Sequence, residues 1–273
     1  EDNLDVVKCL DGPRCMAHRL FWWDHTDPEK EGRSPSNPKE AERVVRLAIY
    51  LVLQGVPVNK VTILSPYVGQ VMLLRRLMRE RLPAVQKDIS KMSTACRTPT
   101  GDSGDVAQLD VQAADKFQGD ENDVIIVSMV RSNASYTKGF METDEGVNRK
   151  VVMLSRQRKA LFIVGNAKCF ECNKGKGGNE RPSRVWSSYI SNMRQQQRLG
   201  DEIVLQCPRH EGVTLRARNA DKLPDSLRRT VCGQRCNAVM GCGEHRCTRS
   251  CHHAWEGCHD RRHCAEEVRF KCD

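Results

Sequence analysis

The chain reads as an α/β protein, a mainly parallel sheet followed by a small Cys/His-rich region, and three observations predict it. Two nearly unbroken apolar runs rich in β-branched residues, Asp123 to Val130 and Ala160 to Val164, have the pattern of strands buried on both faces of a parallel sheet. Strand-like runs alternate with helix-length amphipathic segments up to Asn166, as crossover connections require. The cysteines are segregated: of fourteen, nine lie beyond residue 206, with six of the eight histidines. We therefore expect a sheet domain over residues 1–200 and a metal-stabilised region over 201–273.

The elements follow in order. His18 to His25 carries the aromatics Phe21, Trp22 and Trp23 and suits a strand, which the turn formers of Asp27 to Pro38 end. Ser36 or Asn37 can cap the next helix, Pro38 suits its first turn, and Glu40 and Glu42 favour its positive end. Val44, Val45, Leu47, Ala48, Leu51 and Val52 form its apolar face, and Gly55 closes it. Val61 to Leu64 is a short buried strand, leading through Ser65-Pro66-Tyr67-Val68-Gly69-Gln70 into a helix from Val71 to Leu82. Arg75, Arg76, Arg79 and Arg81 make that helix basic, a solvated face or a phosphate contact. Pro83 to Gly104, with an isolated Cys96, lacks periodicity and reads as an exposed insertion; Val106 to Ala113 is the next strand.

A polar loop, Phe117-Gln118-Gly119-Asp120-Glu121, then opens onto the Asp123 strand, and a helix-length segment carrying Ser155, Arg156 and Arg158 feeds the Ala160 strand, closed by Gly165-Asn166. In open parallel sheets, loops at the carboxyl ends of the strands are the usual ligand sites. Cys169-x2-Cys172 is a single pair and a weak metal signal, and Lys176 lacks the strand and spacing of a phosphate-binding loop. Arg181 to Gln197 should be a helix packing Val185, Trp186, Tyr189, Ile190 and Met193 on the sheet.

Composition bounds the partners. A formal net charge of +9 favours a polyanion, though only weakly. No apolar run has the length of a membrane span and no signal peptide opens the chain, so we expect an intracellular protein, nuclear or cytoplasmic, with no membrane partner. Cysteines interleaved with histidines point to zinc in a reducing compartment rather than disulfides. The first residue is Glu1, not methionine, and we expect a segment of a longer protein.

The stretch Val111 to Asn133 resembles motif V of superfamily-1 helicases of the up-frameshift type, and Leu154-Ser155-Arg156-Gln157-Arg158 resembles their motif VI. The Ser65 to Gln70 loop resembles motif IV. The resemblance implies the second RecA-like domain of an ATP-dependent RNA helicase. It gives Arg156 the arginine-finger role at the γ-phosphate, since a permanently charged fork of donors suits charge that spreads during phosphoryl transfer. It places Gln118, Gly119 and Glu121 around nucleotide and Mg2+, with Arg156, Glu121 and Gln118 as the catalytic set. It gives Ser65, Tyr67, Gln70, Asp115 and Lys116 contacts to RNA. The walls that bind ATP first, with their phosphate-loop lysine and acidic pair, belong to another domain, so this chain alone should hydrolyse no ATP. Val151-Val152-Met153-Leu154 and Gln157 depart from the family pattern, and a non-catalytic zinc-dependent adaptor that binds RNA or protein stays open as an alternative.

The tail spaces its ligands as Cys232-x3-Cys236-x5-Cys242-x2-His245-x-Cys247-x3-Cys251-His252, then Cys258, His263 and Cys264. Such gaps let thiolates and imidazoles surround a tetrahedral ion through local turns. Cys242 to His252 resembles the NF-X-type zinc finger. Which four share an ion is open at this point: His252 and His253 are adjacent alternatives, and Cys207 with His210 could complete a site with downstream cysteines. The chain ends at Cys272-Asp273, and we expect further fingers beyond it. A helicase half followed by such fingers resembles the NF-X zinc-finger helicase family. That resemblance implies a role in RNA silencing and small-RNA pathways, with protein partners of a silencing complex. A RING-like ligase fits less well because the ligand gaps are short and repetitive.

Overall fold

The computed structural model describes residues 13–89, 109–175, 178–225 and 231–251. Six strands form one sheet: β1 (Leu20–Asp24), β2 (Val61–Ser65), β3 (Asp110–Ala113), β4 (Asn122–Ser128), β5 (Gln157–Gly165) and, after the separate pair β6 (Cys172–Lys174) and β7 (Glu180–Pro182), β8 (Leu199–Gly200). Their order is β3-β2-β4-β5-β1-β8 and every pairing is parallel. The α/β expectation, a RecA-like parallel sheet, is what the chain forms.

Period-two alternation divides the sheet's side chains between two cores. Phe21, Trp23, Val61, Ile63, Val124, Ile126, Phe162 and Val164 face α1 (Pro38–Leu53) and α2 (Val68–Ile89). Trp22, Leu64, Ile125, Val127, Leu161 and Ile163 face α3 (Asp144–Ser155), α4 (Ala167–Glu171) and α5 (Ser187–Gln195). Because both faces are covered, these strands have no polar side, which is why they read as continuous apolar runs. Each fully buried Ile, Leu or Phe contributes roughly 1.5–3 kcal/mol.

Asn37 is the cap of α1, its Oδ1 accepting from Glu40 N at 3.1 Å. Three expected boundaries move. The second helix begins earlier and runs through Pro83 to Ile89; the rest of the expected insertion, Cys96 included, lies outside the described residues, as does Lys176. Helix α3 stops at Ser155, so Arg156 is its C-cap and Arg158 already belongs to β5. Residues 180–182 pair as β7, and α5 starts only at Ser187.

The chain after β8 does not leave the core at once. Strands β9 (Ile203–Gln206) and β10 (Thr214–Ala217) form an antiparallel hairpin, and Ile203, Leu205, Ala217 and Leu223 pack in the α1 core. Residues 231–251 follow with short bridges, Arg235 to Ser250 and Val239 to Arg246.

Candidate functional site

The pairing Asn122 with Gln157 at the start of β4 and β5 sets the residues just before them, Glu121 and Arg156, side by side at one sheet edge. Asn122 N donates to Arg156 O at 3.0 Å and locks that register. This is the amino edge, which corrects the expectation of a carboxyl-edge site. The reason is the turn Ala114–Phe117: it carries the chain from the carboxyl end of β3 back past the neighbouring β2 to the amino end of β4, so Gln118 to Glu121 emerge beside the C-terminus of α3. Gln118, Gly119 and Glu121 are exposed. Gly119 has φ +95, a conformation glycine adopts without strain, and the space around it is open.

Arg156 is half-buried, and its Nε is enclosed with no hydrogen-bond partner among the described residues. An enclosed guanidinium nitrogen without a partner is uncommon and asks for an acceptor. Glu121 pairs with Arg158 at 3.3 Å instead. Asp115 is held by Arg149, one turn-pair ahead of Arg156 on α3, with Nε to Oδ1 at 2.6 Å and Nη2 to Oδ2 at 2.9 Å. That pairing raises the Arg149 pKa further, and the guanidinium also covers Phe140 at 4.4 Å. Sequence reading missed Arg149, which stands on α3 about two turns before the C-cap Arg156. Lys116 is exposed beside this group.

The opposite, carboxyl edge is closed. Ser65, Tyr67 and Gln70, expected to grip RNA, are all buried, which corrects that reading for these side chains. Tyr67 donates to Lys138 O at 2.9 Å and packs on Phe140, and burial pushes its pKa up. Ser65 Oγ accepts from Tyr67 N at 3.4 Å. Gln70 accepts from Asn37 N at 2.8 Å and donates to Asn37 O and Ser128 Oγ. The loop can close this tightly because Gly69 lies against Ser34: a Cβ there would come 2.5 Å from Ser34 O.

Two buried polar groups went unseen in the sequence. Glu40, read as a helix-dipole acid, is fully buried and receives Ser128 Oγ, Val130 N at 2.8 Å and His25 Nε2 at 2.9 Å. Val130 itself holds φ +73, costly for a β-branched residue. Lys138 is enclosed, donating to Cys172 O and Asn173 Oδ1, and burial lowers its pKa.

In the Cys/His region the ligand atoms of Cys207, His210, Cys232 and Cys251 all lie within 4.8 Å of one another. Zinc with sulfur and nitrogen ligands at ordinary bond lengths gives tetrahedron edges of about 3.8 Å between sulfurs and about 3.5 Å between sulfur and nitrogen. The observed edges are 3.7 Å from Cys207 to Cys251, 3.6 Å from Cys207 to His210 and 3.4 Å from Cys232 to His210. The donor set therefore fits zinc. Burial raises the Cys251 thiol to about 12, and the neighbouring Cys207 and Cys232 add to the rise, a repulsion that a dication relieves. Burial also acts against the Cys207 thiolate, yet the N–H groups of Arg209 and His210 and the facing thiols bring that group below its usual value.

Of the other expected ligands, Cys242 and His245 pair at 3.5 Å, Cys236 accepts from Arg209 at 3.3 Å, and Cys247 is buried in the same small cluster as Cys236. His252, Cys258, His263 and Cys264 lie outside the described residues. Cys169 is buried in the sheet core and shares in no ligand cluster among the described residues.

The model of the AAA domain family matches residues 11–168, more than half of the chain and the whole run from β1 to β5. The chain belongs to the AAA domain family. The chain is 32% identical over 243 residues to the NFX1-type zinc finger-containing protein 1 of Mus musculus, covering 87% of this chain and 11% of that protein. The Homo sapiens protein of the same name gives the same identity over 87% of this chain and 10% of its own length. The Schizosaccharomyces pombe protein named Helicase required for RNAi-mediated heterochromatin assembly 1 is 36% identical over 151 residues, 55% of this chain and 13% of that one. The chain thus spans about a tenth of the relatives it matches. It carries a helicase-like domain, and its resemblance to NF-X-type zinc-finger helicases holds over most of its length. No described helix is long and apolar enough to cross a membrane.

Proposed function

We propose that this chain is the second motor half of an ATP-dependent RNA helicase, with Arg156 as its sensor of the γ-phosphate. One observation carries the reading: the Arg156 Nε is enclosed and has no acceptor among the described residues, at the edge where Glu121 and Gly119 are exposed. A phosphate oxygen would supply the acceptor that the described residues do not. Arg156 would hold the phosphate's charge, and Glu121 and Gln118 would serve the Mg2+ and its water shell. ATP bound at this edge supplies the hydrolysable bond that drives the motor. Lys116, with Asp115 fixed by Arg149, lies on the same loop and is the candidate RNA contact. The net charge of +9 suits RNA, and the name of the fission yeast relative, a helicase required for RNAi-mediated heterochromatin assembly, supports placing the parent protein in an RNA-silencing pathway, with protein partners of a silencing complex.

The test is Arg156→Ala in the intact parent protein. ATP turnover should fall by about 10³- to 10⁵-fold while RNA binding without nucleotide is kept. Unchanged turnover would overturn the motor reading and favour an adaptor on a helicase fold. The 273-residue chain by itself should show no RNA-stimulated turnover.

A further inference from the structure

We propose that the Cys207, His210, Cys232 and Cys251 site is a metal clasp that fastens the finger region to the helicase-like core, so that the two form one unit only when zinc is bound. The four ligands come from two sides. Cys207 and His210 stand at the tip of the β9–β10 hairpin, outside the finger motif, and that hairpin is anchored in the core: Gln206 N donates to Cys15 O at 2.8 Å, and Ala17 N to Val204 O at 3.1 Å. Tyr50, buried in α1, donates to the same Cys15 carbonyl. Cys207 N is fixed in turn to Val213 O at 2.8 Å. Cys232 and Cys251 come from the first and last turns of the finger, joined through Cys251 N to Gln234 O at 2.6 Å.

Among the described residues few apolar contacts hold this junction. The buried cluster there consists of Cys207, Cys232 and Cys251 with Val213 packed against it, and Val231, next to Cys232, packs on the α1 core. Three sulfurs and two valines bury too little surface to fix the finger on the hairpin. The sulfurs are also too far apart to be covalently joined: 3.7 Å between Cys207 and Cys251, against about 2.05 Å in a disulfide. Three thiols and an imidazole at tetrahedral edge lengths leave a four-coordinate soft divalent ion, zinc, as the ligand class, with no open position for a substrate. The ligand turn reaches further still. Arg209, between Cys207 and His210, donates to Cys236, so the clasp also touches the finger's inner thiols.

The site is closed and structural, which separates it from the nucleotide edge: its loss should undock the finger and leave the sheet intact. The experiment uses the full chain loaded with Zn2+, comparing wild type, Cys207→Ser and a control, Cys15→Ser, which alters a nearby buried thiol that is no ligand. Thiol-triggered zinc release should show one ion fewer for Cys207→Ser than for wild type and no loss for the control. Hydrogen exchange should show faster exchange at Cys236, Asn237 and Cys247 amides, with β4 and β5 unchanged. Unaltered zinc content in Cys207→Ser, or a lost ion with unaltered finger protection, would overturn the proposal. Should Cys207→Ser fail to fold, His210→Cys decides: loaded with Co2+, its absorption should move from a three-sulfur, one-nitrogen to a four-sulfur spectrum, and an unmoved spectrum sinks the assignment.

Discussion

Replacing Glu40 by glutamine probes what holds the carboxyl edge of the sheet closed. The Glu40 carboxylate is wholly enclosed; Oε1 accepts from Ser128 Oγ and Val130 N, and Oε2 lies 2.9 Å from His25 Nε2. His25 Nδ1 accepts from Asp27 N at 3.1 Å, so the ring proton sits on Nε2 and donates to Glu40. Glutamine keeps Oε1 and its two donors but turns an NH2 group toward that ring N–H, donor against donor. The lost charge-assisted bond is worth about 1.5–3 kcal/mol, and each buried donor left without a partner costs about 1–3 kcal/mol. These terms overlap, and we expect Glu40→Gln to cost about 3 kcal/mol, roughly 100-fold in the folding equilibrium. Glu40→Ala should cost more, about 4–5 kcal/mol, because Val130 N also loses its acceptor while φ at Val130 stays at +73. Urea unfolding followed by the fluorescence of the buried Trp22 and Trp23, at saturating zinc so that metal linkage stays constant, measures both. Adding His25→Ala to Glu40→Gln removes the opposed donor and should recover at least about 1 kcal/mol of coupling. A Glu40→Gln variant within about 0.5 kcal/mol of wild type, or strict additivity in the double variant, would refute the tautomer argument.

Two further outcomes follow from the same cores. Burial raises the Asp24 carboxyl above its usual value, only partly offset by the N–H of Ala167 at 2.8 Å. A raised folded pKa contributes stability that is complete below the unfolded value and is lost as pH rises through the folded one, so wild type should weaken relative to Asp24→Asn from about pH 4 upward. A wild-type-minus-variant difference that stays flat with pH in urea titrations would remove that account. Trp22→Ala should cost about 3–5 kcal/mol, since it empties a site where the indole donates to Gly165 O at 2.8 Å and stands edge-on to Phe170 and Trp186; a thermal-melt loss under about 1.5 kcal/mol would show that the second core collapses to fill the space.

What the sequence made legible is what local pattern controls. The apolar runs at Val124 to Val127 and Ala160 to Val164 have the pattern of doubly covered strands and form them, and Asn37-Pro38 marks the start of α1 by short-range chemistry alone. Glu40 shows where legibility ends. Its first-turn position is local, but its partners Ser128 and Val130 stand 88 and 90 residues away and reach it only through the register of the sheet. Tyr67 fails in the same way. A tyrosine in a loop after a strand suits stacking on a base and plugging a core equally, and the carbonyl of Lys138 that settles the matter is 71 residues distant. The Cys207 and His210 pair was visible as a spare C-x2-H, yet its partners were fixed only when β9 docked on Cys15 and Ala17.

The two sheet edges differ in a way that bears on function. At the carboxyl edge each polar side chain finds a partner within the fold: Gln70 with Asn37 and Ser128, Glu40 with His25 and Val130, Asn166 with Ser132 at 2.9 Å. Such satisfaction is what a structural edge requires, because buried polar groups left over would cost more than the burial returns. The amino edge has the opposite character. There Gln118 and Glu121 are exposed, and among the described residues the enclosed Gln157 Oε1 has no donor and the enclosed Arg156 Nε no acceptor. Two unmet groups of opposite hydrogen-bonding sense, on consecutive residues at a helix-to-strand joint, do not satisfy each other because Gln157 turns its NH2 to Leu154 O at 3.0 Å. Among the described residues both groups stay unmet, and this contrast with the closed carboxyl edge is what the phosphate contact proposed for Arg156 rests on.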